Sequence, residues 1–121
     1  NDTWIQTDKL TALDRAAGDQ FGYSVAVSPG LIAVGAHGQD EGALNVGAVY
    51  VYTPDTSGKW THVQKLQASD RGAHAHFGSQ LAASDDGTLV VTAPWDKYFT
   101  GSAYVFSCTT AGVCTETDVL R

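Results

Sequence analysis

Residues 21–36 read Phe21-Gly22-Tyr23-Ser24-Val25-Ala26-Val27-Ser28-Pro29-Gly30-Leu31-Ile32-Ala33-Val34-Gly35-Ala36. Residues 77–93 say nearly the same again, opening on Phe77-Gly78 and closing on Thr92-Ala93. Working outward, Trp4 matches Trp60, Lys9-Leu10 matches Lys65-Leu66 and Asp14-Arg15 matches Asp70-Arg71, all at the 56-residue offset that relates Phe21 to Phe77. After one residue inserted in a turn, Ala36 meets Ala93. After a loop shortened by three, Gly47, Tyr50 and Val51 meet Gly101, Tyr104 and Val105. The gaps fall only in loops, as a structural duplication requires.

A Gly-rich period of this length without helical patterning points to propeller blades rather than helical solenoids. The first unit holds four strand candidates, Tyr23 to Ser28, Leu31 to Ala36, Ala48 to Thr53 and Trp60 to Leu66, β-branched or aromatic and bounded by Gly, Pro, Asp and Ser. Val25-Ala26-Val27 and Leu31 to Val34 are apolar on both alternations, as strands covered on two faces should be. Trp60 to Leu66 alternates apolar with polar, as expected of a rim strand with one wet side. The fold class is therefore all-β, with two four-stranded antiparallel blades at residues 11–66 and 67–121. Tyr52 to Leu66 aligns without gaps to Phe106 to Leu120, so the last segment is the second blade's own outer strand. Trp4 to Leu10, within residues 1–10, is then an outer strand without a blade of its own. Its Trp4, Ile5 and Leu10 are candidates for pairing with another blade by strand addition.

Phe21-Gly22 with Gly35-Ala36-His37, and Phe77-Gly78 with Thr92-Ala93-Pro94, resemble the FG-GAP repeat of integrin α-subunit propellers and related surface proteins. His37 stands where that motif has Pro, and Thr92 where it has Gly. The resemblance implies a β-propeller in an extracellular or cell-surface setting. Many members bind calcium through an Asp-x-Asp-x-Asp-Gly type loop in the hairpin after the Phe-Gly strand. Here that hairpin is Ser28-Pro29-Gly30 or Ser84-Asp85-Asp86-Gly87, too short to wrap a cation that wants six to eight oxygens. Asp85-Asp86-Gly87 is turn chemistry, and no cofactor is expected.

The chain has 121 residues, 43% of them hydrophobic, enough to bury a core. Seven basic against 13 acidic residues give a net charge of -6, the wrong sign for neutralising nucleic-acid phosphates or docking on anionic lipid. No run approaches the ~20 apolar residues of a membrane helix, and neither nucleic acid nor membrane insertion is expected. The start has no basic-then-apolar leader and the chain has no Met, so residue 1 is expected to be internal to a processed or longer product. Cys108 and Cys114 flank a turn-like stretch; a local disulfide suits an oxidising compartment, and two free thiols are the alternative. Asn1-Asp2-Thr3 fits the N-glycosylation sequon, which makes Asn1 a glycosylation candidate.

His74 and His76 flank Ala75, so on an extended backbone both rings would share a side, with His37 the one available third ligand for a metal. Two histidines in a connecting loop are more often polar loop residues, and no metal site is expected. Asp40-Glu41 reads as solvated charge, and the repeated Asp14-Arg15 and Asp70-Arg71 as one recurring structural bond. No nucleophile elbow or paired catalytic acid appears, so no enzymatic activity is expected. The loop Pro94 to Thr100 concentrates Trp95, Asp96, Tyr98 and Phe99, candidates for contact with a partner or ligand. The expected role is an extracellular structural or adhesion module that self-associates or joins neighbouring blades of a longer array or filament. The alternative is a lectin-like oligomer in which two-blade subunits complete a ring and bind carbohydrate; an extracellular protein ligand would also suit the aromatic loop.

Overall fold

A computed structural model of the chain describes residues 3–40, 45–70, 74–96 and 100–121. Eight strands follow in order: β1 (Ser24–Ser28), β2 (Leu31–Ala36), β3 (Ala48–Pro54), β4 (Trp60–Leu66), β5 (Leu81–Ala83), β6 (Thr88–Ala93), β7 (Ser102–Cys108) and β8 (Cys114–Leu120). They form two antiparallel sheets, β1-β2-β3-β4 and β5-β6-β7-β8, each a simple meander in chain order. Short Gly-bearing turns make this the least costly pairing, because each strand meets the next through a local loop.

The two sheets repeat even their irregularities. The ladder shifts between Val51 and Tyr52 in the first and between Val105 and Phe106 in the second. One residue of each rim strand, Val63 or Thr117, thus falls outside the register as a β-bulge, which bends and twists the rim. The bulge also interrupts the expected alternation of β4, and Val63 is turned partly to solvent.

Register fixes what each face carries. On one face of the first blade Val25, Val34 and Tyr50 align, followed by Val27, Ile32 and Tyr52; the other face aligns Ala26, Ala33 and Val51 beside Gly35 and Val49. In the second blade Leu81, Val91 and Tyr104 align, followed by Ala83, Leu89 and Phe106. The main core lies between the blades, where Phe77, Leu89, Val91, Tyr104 and Phe106 of the second pack on Ala26, Ala33, Val49 and Val51 of the first. An aromatic face thus seats on a small aliphatic one, large side chains of one sheet facing small ones of the other. A smaller core covers the first blade's own aromatic face, from Leu10, Ala12, Phe21, Val34, Tyr50 and Tyr52.

Two expectations change here. Val25-Ala26-Val27 is covered on one side only: Ala26 is buried, while Val25 and Val27 are 60% and 67% exposed. Among the described residues no blade lies against their face. Trp4 to Leu10 joins neither sheet, and Trp4 is 95% exposed. A strand needs a ladder partner, and among the described residues neither sheet supplies one. Its far end still behaves as the repeat demands. Leu10 and Ala12 pack on the first blade's aromatic face, as their counterparts Leu66 and Ala68 do in the core shared with the second.

Candidate functional site at the blade junction and end faces

The junction is built around the second Phe-Gly turn. Backbone N–H groups of His76 and Phe77 donate to the carbonyls of Asn45 and Val46, both at 3.1 Å, and Phe77 bridges Gly47 in parallel. Gly78 donates to Thr92 O at 3.0 Å within its own blade, and its carbonyl accepts the Ser24 hydroxyl of the first blade at 2.6 Å. Glycine is required at two points on the receiving side of the contact. A Cβ on Gly47 would lie 2.0 Å from Phe77 O, and one on Gly35 would lie 2.2 Å from Gly78 O. The Phe77 ring, almost wholly buried, meets Tyr104 and Phe106 edge-on at centroid distances of 5.3 and 6.1 Å.

The first Phe-Gly turn repeats the internal half of this design. Gly22 donates to Gly35 O at 3.0 Å, and Phe21 meets Tyr50 and Tyr52 edge-on at 5.5 and 6.4 Å. Nothing lies within 4 Å of a Cβ built on Gly22. The turn is formed, and among the described residues nothing receives it.

The recurring aspartate has one explanation in both copies. Asp14 accepts the Tyr50 hydroxyl at 2.8 Å and Asp70 accepts that of Tyr104 at 2.7 Å. Lys65 also binds Asp14, at 2.6 Å, and holds its carboxyl below the usual carboxylate range; Arg121 binds Asp70. Burial together with these carboxylates pushes both tyrosine hydroxyls far above their ordinary pKa. The bond satisfies a hydroxyl at the edge of each aromatic face. Arg71 and Glu41 lie outside the described residues, while Asp40 accepts the Asn45 N–H at 2.8 Å.

His37 meets His76 across the junction, with the two Nδ1 atoms 2.7 Å apart, while His37 Nε2 lies 2.5 Å from Gln20 Oε1. The amide oxygen can only accept, so His37 Nε2–H donates to it and His37 Nδ1 accepts from His76 Nδ1–H. Nε2 of His76 is then a buried lone pair with no partner among the described residues. Burial lowers the pKa of both rings, and the neighbouring imidazoles lower that of His76 further. His74 does not share their side. Both His74 and His76 have left-handed φ, 62° and 59°, so the extended backbone assumed for them does not occur and His74 faces Asn45. Among the described residues no group of three or more His, Cys, Asp or Glu is placed to hold a metal.

Next to this pair a cleft of about 610 Å³ opens, lined in part by Tyr23, Gln80, Thr92, Pro94, Trp95 and Gly101. Trp95 is half exposed, with its ring edge against His76 at 4.4 Å. Asp96, expected beside it as a contact residue, is instead buried; it accepts the Ser102 hydroxyl at 2.6 Å and lies 3.0 Å from the Tyr104 hydroxyl oxygen. A carboxylate next to an aromatic loop looked exposed in sequence; the β7 hydroxyls below it draw it inward. Tyr98, Phe99 and Asn1 lie outside the described residues.

Cys108 and Cys114 form a disulfide across the β7–β8 hairpin. The loop it closes packs on the first blade, where a Cβ on Gly112 would come 2.5 Å from Thr53 Cγ2. Gln64 clamps Cys114 from the first blade's rim, accepting its N–H at 2.7 Å and donating to its carbonyl at 3.1 Å. In the β5–β6 hairpin Asp86 is engaged by Ser84 Oγ and, at 3.1 Å, by Thr88 N–H, the bonding of a tight turn.

The FG-GAP repeat model matches residues 4–52 and 60–106. The chain belongs to the FG-GAP repeat family. The second matched unit begins at the outer strand β4 and ends in β7, the third strand of the next blade; the first ends likewise in β3, so Trp4 to Leu10, though not a strand, holds the place that β4 holds in the second unit. Phe21, Gly22, Gly35 and Ala36, and Phe77, Gly78, Ala93 and Pro94, are the motif positions now placed at the two turns and the β2 and β6 ends. No curated protein matches the chain. FG-GAP repeats are typically extracellular, and the disulfide accords with that setting.

Proposed function

We propose that the chain is a non-enzymatic extracellular structural or adhesion module that contributes two blades to a larger propeller-type assembly, joined to further blades through its two end faces. One observation carries this. The face holding Val25, Val27, Ile32, Val34, Tyr50 and Tyr52 is the repeat equivalent of the face that the second blade buries, yet Val25 and Val27 are left in water. At ~25 cal/mol per Å², covering a few hundred Å² of such surface favours association by several kcal/mol. The opposite end offers Ala82, Val90, Ala103 and Val105, none of them fully buried. Light scattering on the native material tests the proposal. Particles containing more than these two blades are expected, and a monodisperse 12.7 kDa species would overturn it.

A carbohydrate-binding role draws on one feature, the cleft with half-exposed Trp95 and exposed Tyr23 among neutral polar groups. Glycan-array binding that is lost in Trp95→Ala would favour it.

A further inference from the structure

The two blades present the same kind of receiving surface, with two of its three residues changed in the second: Gln80 stands for Ser24 and Thr92 for Gly35. In the first, Ser24, Gly35 and Gly47 receive the Phe77-Gly78 turn. The repeat places Gln80, Thr92 and Gly101 at the corresponding points of the second, and there they line the open cleft. Gly101 preserves Gly47. Thr92 does not preserve Gly35, where the chain leaves no room for a side chain: a Cβ there would lie 2.2 Å from both Gly78 O and Ser24 Oγ. Real Cβ atoms essentially never approach so closely, and the Gly78 carbonyl is held in place by the Ser24 hydroxyl and by the turn to which it belongs. Thr92 is fixed in turn, because its Oγ1 accepts the Gln80 N–H at 3.0 Å and its backbone is bonded to Gln80 O and Gly78 N.

Resting on the blade-joining role above, we propose that Thr92 selects the neighbour. The outer face of the second blade rejects a Phe-Gly turn at the depth that the first blade accepts. The exposed Phe21-Gly22 turn therefore seats on a blade carrying glycine at the Gly35 position, and not on the Thr92 face of a second copy of this chain. The in-chain junction supplies the template for the occupant, since the free Gly22 turn and the Gly78 turn make the same internal bonds.

Sedimentation equilibrium of the 121-residue chain and its variants tests this. Thr92→Gly should strengthen head-to-tail association roughly ten- to a hundredfold, the range set by overpacking penalties. Thr92→Ala, which keeps the Cβ, should match the wild type. Adding Val25→Asp to Thr92→Gly should abolish the gain, which shows that the first blade's end is the partner face. If the wild type associates as tightly as Thr92→Gly and Val25→Asp disrupts both, the selective role of Thr92 is overturned while blade joining stands. If no variant associates at any concentration, both fall. The reciprocal Gly35→Thr change probes the same packing without association. It should lower the Tm and speed hydrogen exchange at the His76 and Phe77 amides; an unchanged Tm would overturn the steric argument.

Discussion

The two Phe-Gly turns are nearly the same peptide in two environments. Gly78 and Phe77 are buried, and Leu81 and Ala83 beside them are half-covered by the first blade. Gly22 is open, Phe21 is half-buried, and Val25 and Val27, at the positions of Leu81 and Ala83, stand in water. The comparison separates two tasks inside one motif. The phenylalanine works within its own blade, since both rings meet their tyrosine and neighbouring aromatic edge-on whether or not another blade is present. The glycine works between blades, because only the second has anything to touch.

The largest expected effect breaks the symmetry at the receiving glycines. Gly47→Ala should cost more than about 4 kcal/mol, since its φ of +89° and the Phe77 carbonyl both refuse a Cβ. Gly101→Ala, at φ +82° with its nearest neighbour at 3.2 Å, should cost only ~1–2 kcal/mol. Urea denaturation reads both, and equal values would show that the junction is not rigid. Next, Phe77→Ala should lose ~3–5 kcal/mol and Phe21→Ala clearly less, about 1–3 kcal/mol, because its ring is only half-withdrawn from water. Smaller again, Tyr104→Phe removes the one hydroxyl proton shared between Asp70 and the buried Asp96, which keep Arg121 and Ser102 as donors, and should cost ~1–2 kcal/mol. Tyr50→Phe should cost about 1 kcal/mol, since Lys65 still serves Asp14.

The smallest effect is a pH dependence confined to the junction. His37 and His76 titrate below the ordinary value of 6.5 in the fold, so the folded state holds them neutral. Stability is full above 6.5 and declines as pH falls from there toward the depressed folded values, where the unfolded chain gains protons first. Thermal melts at descending pH should show this slope, and His76→Gln should flatten it. A slope unchanged by the substitution would place the titration elsewhere.

The two blades and their strand order were legible because the duplicated apolar runs and turn residues carry period and punctuation in the chain itself. Three features were not. The meeting of His37 with His76 depends on left-handed φ at His76, which an extended reading of His74-Ala75-His76 places wrongly. The burial of Asp96 depends on hydroxyls supplied by β7, Ser102 and Tyr104. The replacement of Gly35 by Thr92 was visible as a departure from the motif. Its meaning lay in a distance across the junction that no single blade contains.

The plain meander of each blade has a consequence for how such chains can grow. Every strand pairs with its neighbour in sequence, and no strand is lent from one sheet to the other. A blade can therefore complete its hydrogen-bonded ladder as it leaves the ribosome, before the following one is synthesised, without holding a strand edge open for a distant partner. An in-frame duplication of one unit would insert a whole finished sheet and interrupt none of the existing pairings. For a gene, lengthening is simple; the residue at the position of Gly35 decides whether the added piece can be seated.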